Sequence, residues 1–453
     1  MVKDLALLGN EKALELVEAA LKASPGDQTE VLVSNADSYL TRFANNYIHQ
    51  NVAERNATLT VRVVFGKKIG VASTNDLDAE SVRRTVDQAA MIARLQKDNP
   101  EFVSLPGPEP VPEVAAWSDE TARFGPDELA RGVAAVIAAA RSGGLEAAGA
   151  FSTTVSELAV GNSLGVRAYQ KSTVAALSTV FMGESQSGYA QARSRDVGAI
   201  DPGAVAGQAL EKALASSGAK SVDPGEYEVI LEPEAVADML GFFVRSSFSA
   251  MAYQEGRSYL QGKLGQKLFP DSVSIWDDGL DPVGLPQAFD FEGVPKRRVM
   301  LVDRGVPVNL LYDSYTAGRE PGRTSTGHAG PAMAGGFGPM AGNLFMAAGD
   351  ASIEDMIRAT KKGILVTRFH YTNPVSPVRT LLTGMTRDGT FLIEDGRITA
   401  PVKNFRFTQS IADALAGVEM VGRERRFVGG WRGGSLVPAL KIARFAFTGV
   451  TEF

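Results

Sequence analysis

Apolar residues recur at spacings of three and four near the start of the chain. Ala13, Leu14, Leu16, Val17 and Leu21 share a broad face, which predicts an amphipathic helix over 11–24, ended by Pro25-Gly26. A strand is predicted to begin at 30–33. Alternating Leu59, Val61 and Val63 predict another over 57–65, with 66–70 as a turn. Val82, Val86, Ala89 and Ala93 return to helical spacing, so 76–96 reads as a second helix. Helix–strand–strand–helix is an α/β order.

Pro106, Pro108, Pro110 and Pro112 hold 100–126 extended and remove backbone donors, which suits a linker or long surface crossover. A helix over 126–140 and strands over 145–151, 157–160 and 165–177 follow. Ser217-Gly218-Ala219-Lys220 and Asp223-Pro224-Gly225 mark the main boundary, giving an N-terminal α/β domain (1–220) and a β-sheet-rich C-terminal domain (221–453). In the second part, 227–231 and 298–303 read as strands, 233–248 as a helix, and 306–313 as a strand that Pro307 suits only at its start or edge. Ser352 and Asp355 form a capping-box pattern for a helix over 353–361. Strands are predicted over 363–370, 380–387 and 390–394, with turns at Asp388-Gly389 and Asp395-Gly396.

The length, 453 residues, favours two or three domains, and 44% hydrophobic with 22% charged residues is ordinary for a chain that buries a real core. A formal charge of −6 gives little attraction for a phosphate backbone, so nucleic acid is not expected as a partner. No run approaches the roughly 18–20 apolar residues that span a bilayer, and the first residues show no cleavage-site pattern. With no cysteine, a cytoplasmic setting is expected.

Scarcity bounds the chemistry further. His49, His328 and His370 are the three histidines, far apart and outside any HExxH pattern, and cysteine is absent. Thiolate catalysis is excluded, and the usual helical pair of zinc ligands is missing. A Gly-x-Ser-x-Gly match at 161–165 lies between strand patterns rather than at a strand-to-helix elbow, so Ser163 reads as a hairpin residue. His49, beside Asn45 and Asn46, reads as structural, near a turn between strands. The most unusual segment is glycine-rich, from Gly318 through Gly349. As a binding loop it would offer Arg319, Arg323 and exposed amides to a carboxylate or peptide backbone; the alternative is a surface loop or a close-packed strand crossing. On a strand through 366–374, alternation sends Arg368 and His370 to one face, Phe369 and Tyr371 to the other.

Four places carry a likeness to a known family: Arg42 through Gln50; Leu311 through Ala317 with Ser325 through Gly330; Thr367 through Asn373; and the strand-rich terminal region. Together they resemble the TldD/PmbA family, in its PmbA (TldE) branch. The metal-bearing TldD branch carries His-Glu-x-x-x-His on the first helix of the C-terminal domain, plus a late Cys. Gly241, Phe242 and Ser246 fall at those degenerate positions here, and 428–432 supplies no Cys. The resemblance implies that this chain binds no zinc or other cofactor. It also implies a TldD-like partner that brings the zinc, or self-association as a dimer, and a complex that cleaves peptides or unfolded polypeptides. This chain would hold an extended substrate, by strand addition among other contacts. Arg319, Arg323, His328, Arg368, His370 and Tyr371 are substrate-binding candidates chosen on their chemistry, and no catalytic residue is assigned. Two alternatives stand beside this: a stand-alone homodimeric peptide-binding or scaffold protein, and an enzyme with an unrecognised His-based site.

Overall fold

The computed structural model describes residues 7–331, 338–430 and 433–451; Gly335, Gly336, Trp431 and Arg432 lie outside them. The N-terminal part is one six-stranded antiparallel sheet with helices against it. Its elements are α1 (Asn10–Ala23), β1 (Gln28–Ala44), β2 (Tyr47–Phe65), β3 (Lys68–Thr74), α2 (Ala79–Leu95), α3 (Asp119–Arg123), α4 (Pro126–Ser142), β4 (Glu146–Asn162), β5 (Arg167–Met182), β6 (Ser187–Ser194) and α5 (Pro202–Ala215). Sheet order is β3-β2-β1-β4-β5-β6.

That order conceals a repeat. Helix, three strands, helix occurs twice, and the copies meet along the β1–β4 seam. A matched pair of glycines marks the equivalence. A Cβ on Gly70 of β3 would sit 2.1 Å from the carbonyl oxygen of Ala89 and 2.3 Å from the nitrogen of Ala93, both on α2. A Cβ on Gly188 of β6 would meet Ala209 and Ala213 of α5 at the same two distances. Only glycine lets helix and strand backbones approach so closely.

The C-terminal part is an eleven-stranded mixed sheet: β7 (Gly225–Leu231), β8 (Ile275–Asp278), β9 (Arg298–Asp303), β10 (Val306–Pro307), β11 (Asn343–Met346), β12 (Lys362–Ser376), β13 (Leu381–Glu394), β14 (Arg397–Pro401), β15 (Phe405–Ser410), β16 (Val418–Gly430) and β17 (Gly433–Val450). β7 pairs with β12 in parallel and with β17 antiparallel. Because β12, β13, β15 and β17 pair in turn, five strands close on themselves. Closure removes free edges there. Phe369, Phe405, Phe407, Phe445 and Phe447 are buried together, with Phe369 and Phe407 centroids 4.5 Å apart. Helix α6 (Pro233–Ser247) packs on β12, β16 and β17, burying Val236, Leu240 and Phe243. Among the described residues there are also four short helices: α7 (Ala250–Gln254), α8 (Ser314–Gly318), α9 (Ile353–Arg358) and α10 (Ile411–Ala416).

An N-terminal α/β part followed by a β-rich part agrees with the expected fold class. Several local expectations differ. The strands expected at 145–151 and 157–160 are one strand, β4. Asp388-Gly389 is not a hairpin turn: both residues have positive φ, and together they oppose Thr367 as a bulge inside β13. Asp395-Gly396 does turn the chain, into β14. The strand expected over 306–313 shrinks to β10, because Pro307 has no donor with which to extend the ladder. The helix expected over 353–361 stops at Arg358, although its capping box forms.

Candidate functional site

Helix α6 lines a cavity to which both parts of the chain contribute walls and which two of the degenerate positions, Gly241 and Phe242, border. Its volume is about 340 Å³. One helical face supplies Glu234, Asp238, Gly241, Phe242 and Arg245, at offsets of four, seven, eight and eleven residues. Tyr189 and Gln191 of β6 close it from the N-terminal sheet, and Arg368 and Phe369 of β12 line it too. The glycines of the β16 and β17 ends leave bare backbone along another side.

Charge is unevenly satisfied here. Glu234 is 6% exposed, and its Oε1 accepts from Arg426 Nη1 at 3.0 Å, while Oε2 has no hydrogen-bond partner among the described residues. Asp238 accepts from the Thr372 hydroxyl; burial raises its carboxyl above the usual range, against the pull of Thr372 and Arg368. Arg368 is committed: its Nε donates to Asp388 at 2.6 Å, and its guanidinium lies 4.1 Å from the Tyr189 ring centroid. Burial pushes the Tyr189 hydroxyl up to about 12. Arg245 is exposed at the rim over Phe242, its guanidinium 5.4 Å from the ring centroid, and no carboxylate pairs with it among the described residues.

The sequence-predicted residues scatter. Gly241 and Phe242 line the cavity and Ser246 does not; its hydroxyl donates back to the Phe242 carbonyl at 2.9 Å. Positions 241 and 246 are about 140° apart on a regular helix, whereas Arg245 shares the face of Gly241. Arg319 pairs with Glu101 at 2.9 Å, and Arg323 lies 3.5 Å from Glu320. His328 cannot reach a ligand at the surface, since it is 1% exposed and hydrogen-bonded at both ring nitrogens. His370 is half-buried, and burial together with Arg387 and Arg368 lowers its pKa below the usual histidine value. Tyr371 is 73% exposed with positive φ, so it leaves the face it was expected to share with the buried Phe369. Ser163 sits in the β4–β5 hairpin, its hydroxyl accepting from the Thr29 amide at 3.0 Å.

Glu234, Asp238 and Arg245 were missed from sequence. Their positions were readable as charged residues four and seven apart on the helix expected over 233–248; their lack of partners was not. A zinc ion does not fit this donor set. The cavity offers two carboxylates already engaged with Arg426 and Thr372, two guanidiniums and no imidazole. Among the described residues, no three His, Asp or Glu side chains are grouped to hold a metal. No described helix is long and apolar enough to cross a membrane.

Two family models match: the PmbA/TldA metallopeptidase C-terminal domain over residues 224–449, and PmbA/TldA metallopeptidase domain 1 over residues 29–93. Metalloprotease PmbA of Escherichia coli O157:H7 is 25% identical over 449 residues, covering 95% of each chain. An uncharacterized protein of Methanocaldococcus jannaschii is 34% identical over 169 residues, a stretch spanning 37% of this chain and 40% of that relative. The crystal structure of TldE from Thermococcus kodakarensis shares the fold, with a TM-score of 0.86 over 96% of this chain and 100% of that one, at 24% identity.

Proposed function

Since the chain belongs to the TldD/PmbA family and is PmbA/TldE-like, we propose that it is the metal-free subunit of a TldD-type zinc metallopeptidase complex. In that role it holds peptide or unfolded polypeptide while a TldD-like partner supplies the zinc, in a cytoplasmic setting. The observation that carries the reading is the α6 cavity. At the helix where the metal-bearing branch is expected to place its ligands, this chain keeps a ligand-sized hollow but lines it with Gly241 and Phe242. Neither side chain can donate to zinc, and Phe242 cannot take a proton from water. Arg368 on the cavity wall, with His370 and Tyr371 farther along β12, is the favoured substrate contact of the original set. Arg319 and Arg323 are peripheral to it, each beside its own carboxylate.

Metal analysis joined to a peptide-cleavage assay tests this. The purified chain is expected to carry no stoichiometric zinc and to cleave nothing alone, with cleavage appearing when a TldD-type protein is added. Zinc-dependent cleavage by the chain alone overturns the reading, as does a lack of any effect on the partner's activity.

A further inference from the structure

The α6 cavity has two carboxylates toward one end, with Arg368 beside them held by Asp388 and Arg426 bound to one oxygen of Glu234, and a guanidinium at the other end, with apolar side chains between. Toward the helix N-terminus are Glu234, more than nine-tenths buried with Oε2 unpartnered, and Asp238 one turn on. At the other end stands Arg245, without a carboxylate partner among the described residues. Phe242 and Phe369 lie among the lining residues. A buried carboxylate oxygen with no donor is costly, so its presence beside a cavity points to a ligand that brings one.

Spacing limits what that ligand is. Eleven residues of helix separate the Cα atoms of Glu234 and Arg245 by about 16 Å. Arg245 folds back over Phe242, one turn toward Glu234, so the remaining gap suits an extended tri- or tetrapeptide, about 10–13 Å at about 3.3 Å per residue. An internal stretch of a long polypeptide carries no charge on its backbone and would leave Glu234 Oε2 without a cation and Arg245 without a carboxylate.

We propose that this cavity binds short peptides by both free ends, Glu234 and Asp238 taking the N-terminal ammonium and Arg245 the C-terminal carboxylate. This deepens the reading above by naming the ligand class: the fragments left after cleavage, or small peptides from another source, in preference to the intact chain. The ion pairs are formed at a partly desolvated site, where charge-assisted hydrogen bonds are strongest.

Calorimetric titration of the full chain, with no partner and no metal added, separates this inference from the peptidase reading. The probes are the tripeptide Leu-Ala-Phe with free ends, its N-acetyl form, its C-terminal amide and the doubly blocked form. The free tripeptide is expected to bind one per chain, and each block to weaken binding about tenfold, a loss of about 1.4 kcal/mol. Arg245→Gln, at an exposed position that does not endanger folding, should bind the free acid and the amide alike while keeping the N-acetyl penalty. Glu234 also holds Arg426, so its role is read from the N-acetyl peptide on the unaltered chain. Equal binding of free and doubly blocked peptides overturns the inference, as does no saturable binding of any of the four. Either result leaves the partner-dependent cleavage assay to decide the other reading on its own.

Discussion

His328 Nε2 lies 2.8 Å from Asp277 Oδ1, and neither side chain meets solvent. Asp277 Oδ2 accepts from the amides of Gly342 and Asn343, both at 2.9 Å, so one carboxylate ties β8, β11 and the glycine-rich segment together. Burial, with Lys296 nearby, lowers the His328 pKa below its ordinary value, while His328 and Lys296 hold Asp277 low against its own burial. His328 Nε2 is thus placed to donate to the Asp277 carboxylate. Asp277→Ala should strand the imidazole N–H and two amides, at about 3–5 kcal/mol of unfolding free energy, measured by urea denaturation.

The same histidine gives stability a defined pH slope. Its folded pKa is depressed, so the unfolded state binds the proton more readily. This contribution is complete above the unfolded value of about 6.5 and is lost as pH falls below it. His328→Gln should flatten the decline between pH 7 and pH 5, even if the variant is less stable at both.

Glu30 acts in the opposite direction. It accepts from Arg62 Nη2 at 2.5 Å, and Arg62 also reaches Glu292 at 3.2 Å, joining the N-terminal sheet to the C-terminal part. Burial, then the Glu292 carboxylate, raises Glu30 to about 7 despite Arg62. A raised acid stabilises below its unfolded value, near 4.5, and that contribution is lost as pH climbs toward 7. Glu30→Gln should therefore reduce the fall in urea midpoint between pH 5 and pH 7.5. Part of the fall should persist, because Asp290 is raised to about 7 as well.

Phe407 is 1% exposed and touches Phe369 and Phe445 within the five closed strands. Truncation there opens a void that a closed ring cannot collapse to fill. Phe407→Ala should cost about 3–5 kcal/mol, read from the denaturation midpoint at unchanged slope.

At Gly188 and Gly70 the obstacle to a methyl group is helix backbone, which cannot rotate aside. Gly188→Ala and Gly70→Ala should each lose about 1–3 kcal/mol. Gly241→Ala, inside α6 with nothing within 4 Å of the added Cβ, should instead gain about 0.5–1 kcal/mol.

Strong periodicity was what made elements legible. Helices α1, α2, α4 and α6 each carry an apolar stripe, and all four were readable within a few residues of their ends. Helix α5 was not, since Gly203 and Gly207 interrupt a run of alanines with little amphipathic contrast. The Tyr47 end of β2 was hidden because its residues are mostly exposed on an arm, leaving no apolar alternation to read. Asp388-Gly389 has the composition of a hairpin turn, and only its pairing opposite Thr367 reveals a bulge. For the site, reactive residue types drew attention to His328, which is buried with both ring nitrogens hydrogen-bonded. The unmatched charges of Glu234 and Arg245 depend on what the fold withholds from them, and no local pattern encodes that.

The doubled N-terminal unit has a consequence for assembly. A half-sheet that elsewhere would need a second molecule to cover its inner edge finds its mate on the same polypeptide, so joining along β1 and β4 does not vary with protein concentration. The two halves are then free to serve different ends. The outermost strand of the second copy, β6, brings Tyr189 and Gln191 to the hollow beside α6, and its counterpart β3 has no such duty. A sheet built as twins becomes, through one flank, a lopsided wall for a site that the other half of the chain largely owns.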